Sequence, residues 1–436
     1  MSCWDRVVDV AFPLEGIRVL DGTWQLASAG GTRYLAALGA EVIRFEWKAS
    51  SDTLRHLPPR APEGLRPARD AATAPLPMLG PTSPNHAGYF NDINSGRKGI
   101  SLNMRHPEGK EIFKQLLAVS DVYAEGYTAT TMERWGIPFE EMLKINPKLV
   151  YCQQPGFGAH SKYRDYRTVG PIANALSGLT EMVGLPQPYP PAGWGYSYSD
   201  WTGAYNVAMA ILAGLHHQRR TGEGIWIDSS QVESGLAYTG TAVLDREVNG
   251  RSYERTGNRS AYRPAAPHGA YRCQGTDRWI AIAVNSEDEW GRFCEAIGRP
   301  AWTADPRFAT VEDRLAHVDE LDRLVEGWTS AQDPFAAMDL LQQAGVRAGV
   351  CQDAQDRVDE DPQLHHLGWL VEVPQSTIGT WPVKQVPFTF SRTPVDAGGT
   401  LGRGAPDYGE DTAHVLTTLL GLSEHELERL ADEGVI

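Results

Sequence analysis

Hydrophobic and polar residues alternate along the first part of the chain in a pattern that predicts strands and helices in turn. Residues 16–21 (GIRVLD) form a short apolar run, residues 32–38 fit a helix, and residues 41–46 (EVIRFE) alternate as a second strand. Together they predict a βαβ unit. Its connecting loop, GTWQLASAGG, lacks the GxGxxG spacing of a dinucleotide fingerprint, so NAD binding does not follow from the topology.

The strand–helix–strand order returns between residues 99 and 126, where apolar residues recur at helical spacing in IFKQLLAV and a strand, VYAE, follows. Short helices at 131–135 and Phe139–Ile145 and a further strand, LVYCQQ, come next. This alternation predicts an α/β fold with a mostly parallel sheet covered by helices. Residues 58–84, which are rich in Pro, Ala and Arg, predict a surface excursion that could serve as a lid.

The composition changes after the predicted strand IWIDSS at residues 225–230. Turn-rich sequence over residues 256–284 predicts hairpins, and helical segments follow to about Ala344. We interpret this part of the chain as a second domain. Near the end, Ser423 is expected to cap the last amphipathic helix together with Glu426.

The balance of charge argues against two classes of partner. The 436 residues include 55 Asp and Glu against 40 Lys and Arg, a net charge of −15, so attraction to nucleic-acid phosphates or anionic lipids is not expected. The apolar runs are far shorter than the ~20 residues of a spanning helix, and the first ten residues lack the apolar segment of a secretory signal. We expect a cytoplasmic protein with no nucleic-acid or membrane partner.

The spacing of cysteine and histidine does not fit a metal site. The five cysteines lie far apart with no CxxC pair, which predicts reduced thiols. Two adjacent histidine pairs, at 216–217 and 365–366, point in different directions on a helix, so neither makes a metal clamp. No GxSxG elbow and no GxxxxGK[ST] loop occurs, which sets aside serine hydrolases and P-loop enzymes.

Asp200 is the candidate for catalysis that the residues themselves suggest. It lies where an aromatic loop, PYPPAGWGYSYSDWTGAY, runs into an apolar helix. A helix N-terminus stabilises negative charge, aromatic side chains exclude water, and nearby glycines permit a ligand to approach closely. The alternative is that Asp200 only caps the helix while the aromatic residues pack.

Basic residues cluster in the first half of this acidic chain, next to predicted strand ends: Arg44, Arg97, Lys98, Arg105 and Arg134. In an open α/β sheet the ligand lies beyond the carboxyl ends of the strands, where such side chains can bind phosphates. The alternative is that they solvate the surface, as most Lys and Arg side chains do.

Several long motifs in one order resemble the class III CoA-transferases, the family of formyl-CoA transferase, carnitine CoA-transferase and bile-acid-inducible CoA-transferase, to which α-methylacyl-CoA racemase is related. They are GIRVLD with LAALGAEVIRFE, FNDINSGRKGISLNMRHPEGKEIFKQLLAVSDVYAEGY with ERWGI, QQPGFG, SDWTGAY with AILAGLHHQRRTGEGIWIDSS, and DPRF and GED near the end. The resemblance covers nearly the whole chain.

In that family an aspartate at the position of Asp200 is the nucleophile. The resemblance implies that its carboxylate attacks an acyl-CoA thioester, giving a mixed anhydride and a CoA thiolate that then forms an aspartyl-CoA thioester. An incoming acid takes the CoA through a second anhydride, so the thioester energy is not lost to water. CoA and acyl-CoA are therefore expected as substrates, with no tightly bound cofactor and no metal.

The family binds CoA at the end of the first βαβ unit and after an Asn-x-x-basic motif. The resemblance assigns this role to Gln25, Arg44, Trp47, Arg97, Lys98, Leu102, Arg105, Tyr127 and Arg134. Formyl-CoA transferase has a shielding glutamine near the position of Leu26, where this chain offers only the neighbouring Gln25. Its glycine run in the small domain is missing from RSAYRPAAPHGAY. We therefore expect a bulkier acid than formate or oxalate.

The racemase relatives carry a Gly-His-Asp triplet ahead of the Ser177-Gly178 pair, which supplies a base for α-proton abstraction. This chain has Val169 and Gly170 where the histidine and aspartate would lie, so CoA transfer is favoured over racemisation.

Four aromatic residues of the loop before and around Asp200 indicate a pocket for an aromatic or large acyl group: Trp194, Tyr196, Tyr198 and Trp201.

The family fold also implies an architecture that periodicity does not show. A large Rossmann-like α/β domain is expected from residues 1–225 together with the linker and return at 350–436, and a smaller α+β domain from residues 240–345. Two chains are expected to form an interlocked, ring-like homodimer, with a homologous partner subunit as the alternative. The functional alternatives are an acyl-CoA racemase or isomerase and a non-catalytic subunit of a heteromeric CoA-transferase.

Overall fold

The computed structural model describes residues 11–58, 83–193, 197–260 and 262–436. Nearly all of the predicted surface excursion, and the aromatic residues Trp194 and Tyr196, lie outside the described residues. The chain forms two compact units. The first comprises the described residues up to Thr180, those from 197 to Gly250, and His366–Ile436; the second comprises Glu181–Gly193 and the described residues of Arg251–His365.

A parallel sheet forms the centre of the first unit. Its strands are β1 (Arg18–Gly22), β2 (Glu41–Glu46), β3 (Lys98–Ser101), β4 (Val122–Glu125), β5 (Val150–Gln153) and β6 (Ile225–Asp228). Their order is β3-β2-β1-β4-β5-β6, and every neighbouring pair is parallel. The predicted α/β class and mostly parallel sheet are confirmed. In this doubly wound order the direction of winding reverses between β1 and β4, which is where open α/β sheets bind ligands.

Helices and a hairpin complete the first unit. The helices before and after the sheet strands are α1 (Ala27–Ala37), α2 (Gly88–Ile93), α3 (Pro107–Ala118), α4 (Thr131–Arg134), α5 (Phe139–Ile145), α6 (Gly170–Leu176), α7 (Tyr198–Thr221) and α8 (Gln231–Asn249). Strands β10 (Leu370–Gln375) and β11 (Gly379–Lys384) pair antiparallel, and α14 (Thr412–Leu420) and α15 (Glu424–Asp432) follow them. None of the helices in the described part of the chain is long and apolar enough to cross a membrane.

Helix α1 begins five residues earlier than the sequence pattern predicts, so the expectation of a loop through residue 31 was wrong. A Cβ built on Gly30 would lie 2.8 Å from the Cβ of Ala204, and one built on Gly31 would lie 2.6 Å from Cγ1 of Val207. The two glycines therefore allow α1 to pack closely against α7. This tertiary contact outweighs the low helix propensity of glycine.

The C-terminal helices pack on the same core as the sheet. Val415 and Leu416 of α14 and Leu430 of α15 are buried in one cluster with Ile43 and Tyr123 of the central strands. The predicted cap of α15 is confirmed, since Ser423 and Glu426 form a complete capping box. The end of the chain is thereby fixed to the first unit.

The second unit has a three-stranded antiparallel sheet. Its strands β7 (His268–Arg272), β8 (Trp279–Ala283) and β9 (Arg347–Val350) lie in chain order, as the predicted hairpin requires. Its helices are α9 (Glu287–Ala296), α10 (Val311–Ala316), α11 (Val318–Thr329) and α12 (Pro334–Gln343), and α13 (Pro362–Leu367) follows. Ile280, Phe293 and Leu321 belong to its own hydrophobic core, separate from that of the first unit.

Candidate functional site

A cavity of about 360 Å³ lies within the first unit, at the switch point of the sheet. The loop after β1 and the start of α1 form one side of it through residues 24–28, and the loop after β4 contributes Gly126 and Tyr127. The rest of its lining comes from the loop after β5, the start of α6 and the first residues of α7 and α8: Gln154, Gly156, Thr168, Val169, Gly170, Asp200 and Gln231. This cavity therefore has the position of a ligand site.

Asp200 contributes a carboxylate to this cavity from the first turn of α7. Its side chain is partly buried, and its Oδ1 accepts a hydrogen bond from Nε2 of Gln231. Burial raises the pKa of Asp200, and the hydrogen bond from the Gln231 side chain opposes that rise. The carboxylate is thus removed from bulk water while it still faces a space that a substrate can enter.

Gly170 lies directly against this carboxylate at the start of α6. A Cβ built on Gly170 would overlap the hydroxyl of Ser197 and the carboxylate of Asp200. Position 170 therefore has no room for a side chain. An aspartate at position 170, as in the racemase pattern, does not fit here, and Val169 takes the place of the racemase histidine.

Gln154 ties α7 to the end of β5. Its Nε2 donates a hydrogen bond of 3.0 Å to the carbonyl oxygen of Gly203, one turn after Asp200. Gly203 allows this approach, because a Cβ there would lie 3.0 Å from the same nitrogen. Asp200 is held in place by its own helix and by this link to the sheet.

A buried network fixes the loop that carries Gln25. The Gln25 backbone, at a φ of 53°, donates its N–H to the two Asp52 carboxylate oxygens at 3.3 and 3.2 Å. Asp52 is also 2.5 Å from Nη2 of Arg44, which is almost fully buried. Burial raises the pKa of Asp52, and the positive charge of Arg44 opposes that rise. Arg44 therefore helps to fix the loop that lines the cavity, because it pairs with the Asp52 carboxylate that binds the Gln25 backbone.

Arg97, directly before β3, forms a second buried ion pair close to the same loop. Its Nη1 lies 2.8 Å from Oδ2 of Asp21, and both side chains are inaccessible to solvent. Asp21 accepts a further hydrogen bond of 2.9 Å from the backbone N–H of Thr23, at the start of the loop that lines the cavity. Burial lowers the pKa of Arg97 to about 10, and the negative charge of Asp21 opposes the fall.

A larger cavity, of about 710 Å³, lies within the second unit. Its lining includes Arg259, which is paired with Asp319 and lies 3.5 Å from Asp322. None of the residues that the sequence predicts for the site lines it.

The family model of CoA-transferase family III matches residues 14–412. The chain belongs to CoA-transferase family III. It is 30% identical to a succinyl-CoA–D-citramalate CoA-transferase of Chloroflexus aurantiacus, over 97% of this chain and 98% of the relative. It is 28% identical to a succinyl-CoA–L-malate CoA-transferase beta subunit of the same organism, again over 97% and 98%. A solved CAIB/BAIF family protein from Brucella suis matches with a TM-score of 0.80 and 25% identity, over 94% of this chain and all of that one.

Membership of family III supports a CoA-transferase with CoA and acyl-CoA as substrates, and the predicted family is confirmed. Of the residues predicted for CoA binding, Gln25 and Tyr127 line the cavity. Arg44, Arg97 and Leu102 are buried, and Lys98 lies 2.7 Å from the Glu41 carboxylate. Trp47 is partly buried, while Arg105 and Arg134 are exposed. The assignment of these residues to CoA stays a prediction.

The predicted aromatic pocket is described only in part, because Trp194 and Tyr196 lie outside the described residues. Tyr198 packs edge-on against Tyr238 at 5.8 Å, and Trp201 lies under Nζ of Lys384 at 4.5 Å. The aromatic residues in the cavity lining are Trp24 and Tyr127, whose ring centroids are 6.1 Å apart. Trp24 lies two residues after the end of β1. Its place just beyond a predicted strand end was the signal by which the sequence could have indicated it.

Proposed function

We propose that this protein transfers CoA from an acyl-CoA to a carboxylic acid, with Asp200 as the nucleophile. The observation that carries the proposal is the partly buried Asp200 carboxylate, which lines the cavity at the switch point and accepts a hydrogen bond from Gln231. Partial desolvation makes a carboxylate more reactive toward an acyl group than it is in water, and it also limits hydrolysis of the intermediates.

Each chemical step exchanges one bond at a carbonyl carbon. A carboxylate oxygen of Asp200 attacks the thioester carbon and the C–S bond breaks. CoA departs as a thiolate, and the acyl group stays on Asp200 as a mixed anhydride. The thiolate then attacks the aspartyl carbonyl carbon, and the first acid departs from an aspartyl-CoA thioester. The acceptor acid reverses these two steps, which returns CoA to a new acyl group and Asp200 to a carboxylate.

The acceptor is proposed to be an acid with an aromatic or bulky body. The rings of Trp24 and Tyr127 in the cavity lining support this, since they offer apolar surface beside the partly buried carboxylate. The relatives are named for succinyl-CoA, which makes succinyl-CoA the first donor to test. A racemase is disfavoured, because Val169, which cannot act as a base, stands at the position of the racemase histidine, and Gly170 has no room for a side chain beside Asp200.

The assembly is proposed to be a cytoplasmic homodimer whose interlocked chains follow the family fold, with the two compact units as its large and small domains. Apolar side chains on the outer faces of α7 and α8 support association with another chain, because Met209 and Leu244 are each 64% exposed and Val248 is 76% exposed. A homologous partner chain is the alternative, and analytical ultracentrifugation of the protein expressed alone tests for it.

Hydroxylamine trapping tests the catalytic proposal. The protein is incubated with succinyl-CoA and hydroxylamine, and the hydroxamate formed from an activated aspartyl carbonyl is located by peptide mass. We expect modification of the Asp200 peptide in the wild type and none in Asp200→Ala. An Asp339→Ala variant, changed at an exposed site in α12, is the matched control and keeps the reaction. CoA binding without modification by several acyl-CoA donors would instead indicate an isomerase or a non-catalytic subunit.

A further inference from the structure

Gln231 holds the Asp200 carboxylate from the first residue of α8. The residue is buried, with 7% of its surface exposed, and its Nε2 donates a hydrogen bond to Oδ1 of Asp200. The start of α8 is fixed independently, because the Ser230 hydroxyl caps the helix at the Glu233 N–H, 3.2 Å away. The N–H of Val232, the residue after Gln231, donates a hydrogen bond of 3.0 Å to the Gly156 carbonyl oxygen. The amide nitrogen is therefore aimed at Oδ1 by the backbone around it.

Gln231 holds Oδ1, so the proposed reaction assigns the attack on the acyl-CoA to the other carboxylate oxygen, Oδ2. When CoA thiolate attacks the aspartyl carbonyl carbon, the C–S bond forms and the bond to the other aspartyl oxygen breaks, so that oxygen leaves with the first acid. The contacted oxygen, Oδ1, stays on Asp200 as the thioester carbonyl. Negative charge develops on Oδ1 when the thiolate enters, and again when the acceptor acid displaces it.

A primary amide suits both states of this oxygen. Its N–H donates to a carboxylate and equally to a carbonyl, so the contact survives acylation of Asp200. A hydrogen bond to an oxygen that gains charge becomes stronger as the charge grows, which lowers the barrier rather than only the ground state. A neutral donor also avoids the tight ion pair that a Lys or Arg would form with the resting carboxylate.

We propose that Gln231 is a catalytic hydrogen-bond donor that stabilises the oxyanion on Oδ1 of Asp200 as CoA enters and leaves the aspartyl thioester. This inference rests on the proposed function and adds to it the group that stabilises the charge. It assigns catalysis to a side chain of α8, 31 positions after the nucleophile.

Two variants remove the donor in different ways. Gln231→Met keeps the size and removes the hydrogen bond, and Gln231→Glu keeps the shape but replaces the donor with an acceptor at pH 8. Gln218→Met is the matched control, since Gln218 also donates through Nε2, to the carbonyl oxygen of Lys148 at 2.6 Å near the far end of α7. Transfer rate, CoA affinity by calorimetry, melting temperature and the mass of the Asp200 adduct are measured for each.

We expect both Gln231 variants to lose about 10²- to 10³-fold in kcat, the loss typical of one missing oxyanion donor, with CoA affinity and melting temperature kept. In the wild type the hydrogen bond from Gln231 lowers the pKa of Asp200. Its loss in Gln231→Met should raise that pKa, so the acid limb of the pH–rate profile should move to higher pH. The control should retain the wild-type kcat.

Three results would overturn the inference: a loss in kcat below tenfold in either variant, a loss that follows a fall in CoA affinity or melting temperature, or an unchanged acid limb. A failure of the proposed function is separate, because it appears in the wild type as the absence of any adduct on Asp200. An adduct in the wild type together with active variants would reject the role of Gln231 alone.

Discussion

Arg97 and Asp21 form an ion pair inside the first unit, with 2.8 Å between Nη1 and Oδ2 and neither side chain accessible to solvent. The pair joins the start of β3 to the end of β1, next to the loop that lines the cavity. A buried arginine in such a pair is needed for the stability of the fold, because its removal leaves the charge of Asp21 unpaired. Phosphate binding by Arg97 would require this ion pair to open, whereas an exposed arginine is free of that constraint.

Replacement of Arg97 should therefore destabilise the protein. Loss of one partner from a buried ion pair leaves an uncompensated charge, and we expect Arg97→Met to lower the free energy of unfolding by about 3–5 kcal/mol. Urea denaturation measures this. Lys98→Met is the adjacent control, whose pair with Glu41 is partly exposed and worth less than about 1 kcal/mol. Unchanged stability with weaker CoA binding in Arg97→Met would show that Arg97 contacts a phosphate instead.

The exposed arginines give the complementary prediction. Arg105 and Arg134 are exposed, so each can meet a CoA phosphate without breaking a buried pair. We expect Arg105→Ala and Arg134→Ala each to weaken CoA binding about tenfold, with a shallower dependence on salt and with unchanged stability. Isothermal calorimetry at two salt concentrations measures the effect. The exposed Arg357 of the second unit provides a control, and wild-type affinity in both variants would place the phosphates elsewhere.

The sequence was sufficient to predict the elements that depend on local pattern. The parallel sheet follows from short apolar runs between helical segments, and Asp200 stands out because an apolar helix begins at that point of the chain. The start of α1 was missed, because Gly30 and Gly31 indicate a loop until α7 is seen to pack on them. Local propensity does not contain that contact.

The partners of Asp200 could not be predicted for a related reason. Gln154 and Gln231 lie 46 positions before and 31 positions after it, and only the packing of β5, α7 and α8 brings the three together. For Arg44 the sequence suggested a role that the burial of its side chain does not support. Its place at a strand end is typical of a phosphate ligand, while its burial against Asp52 depends on a turn several residues further along the chain.

Gly170 gives a prediction for the catalytic face of the cavity. In Gly170→Ala the new methyl group would overlap Ser197 and Asp200, so the carboxylate must move or lose its approach path. We expect a loss of at least 10²-fold in kcat, since displacement of a reacting group by about 1 Å has that effect. Steady-state kinetics and the Asp200 adduct measure it. Gly240→Ala in α8, where a Cβ meets nothing within 4 Å, should remain fully active.

Glu125 predicts how the stability of the protein changes with pH. Burial raises its pKa from 4.5 to about 7, while the Tyr127 N–H at 2.5 Å and the Tyr151 hydroxyl at 2.9 Å oppose the rise. Between pH 4.5 and 7 the folded protein therefore keeps a proton that the unfolded chain releases. Its contribution to the free energy of unfolding falls as the pH rises through this window, by about 3 kcal/mol in all.

A Glu125→Gln variant removes this titration, because the amide keeps the shape and stays neutral at every pH. Relative to the wild type it should gain stability progressively between pH 5 and pH 8, by up to about 3 kcal/mol. Urea midpoints of both proteins at four pH values within this range measure the difference. The exposed Glu140 supplies the control, because Glu140→Gln should follow the wild type throughout. Parallel curves for Glu125→Gln and the wild type would mean that Glu125 is already ionised at pH 5, and that its hydrogen bonds outweigh its burial.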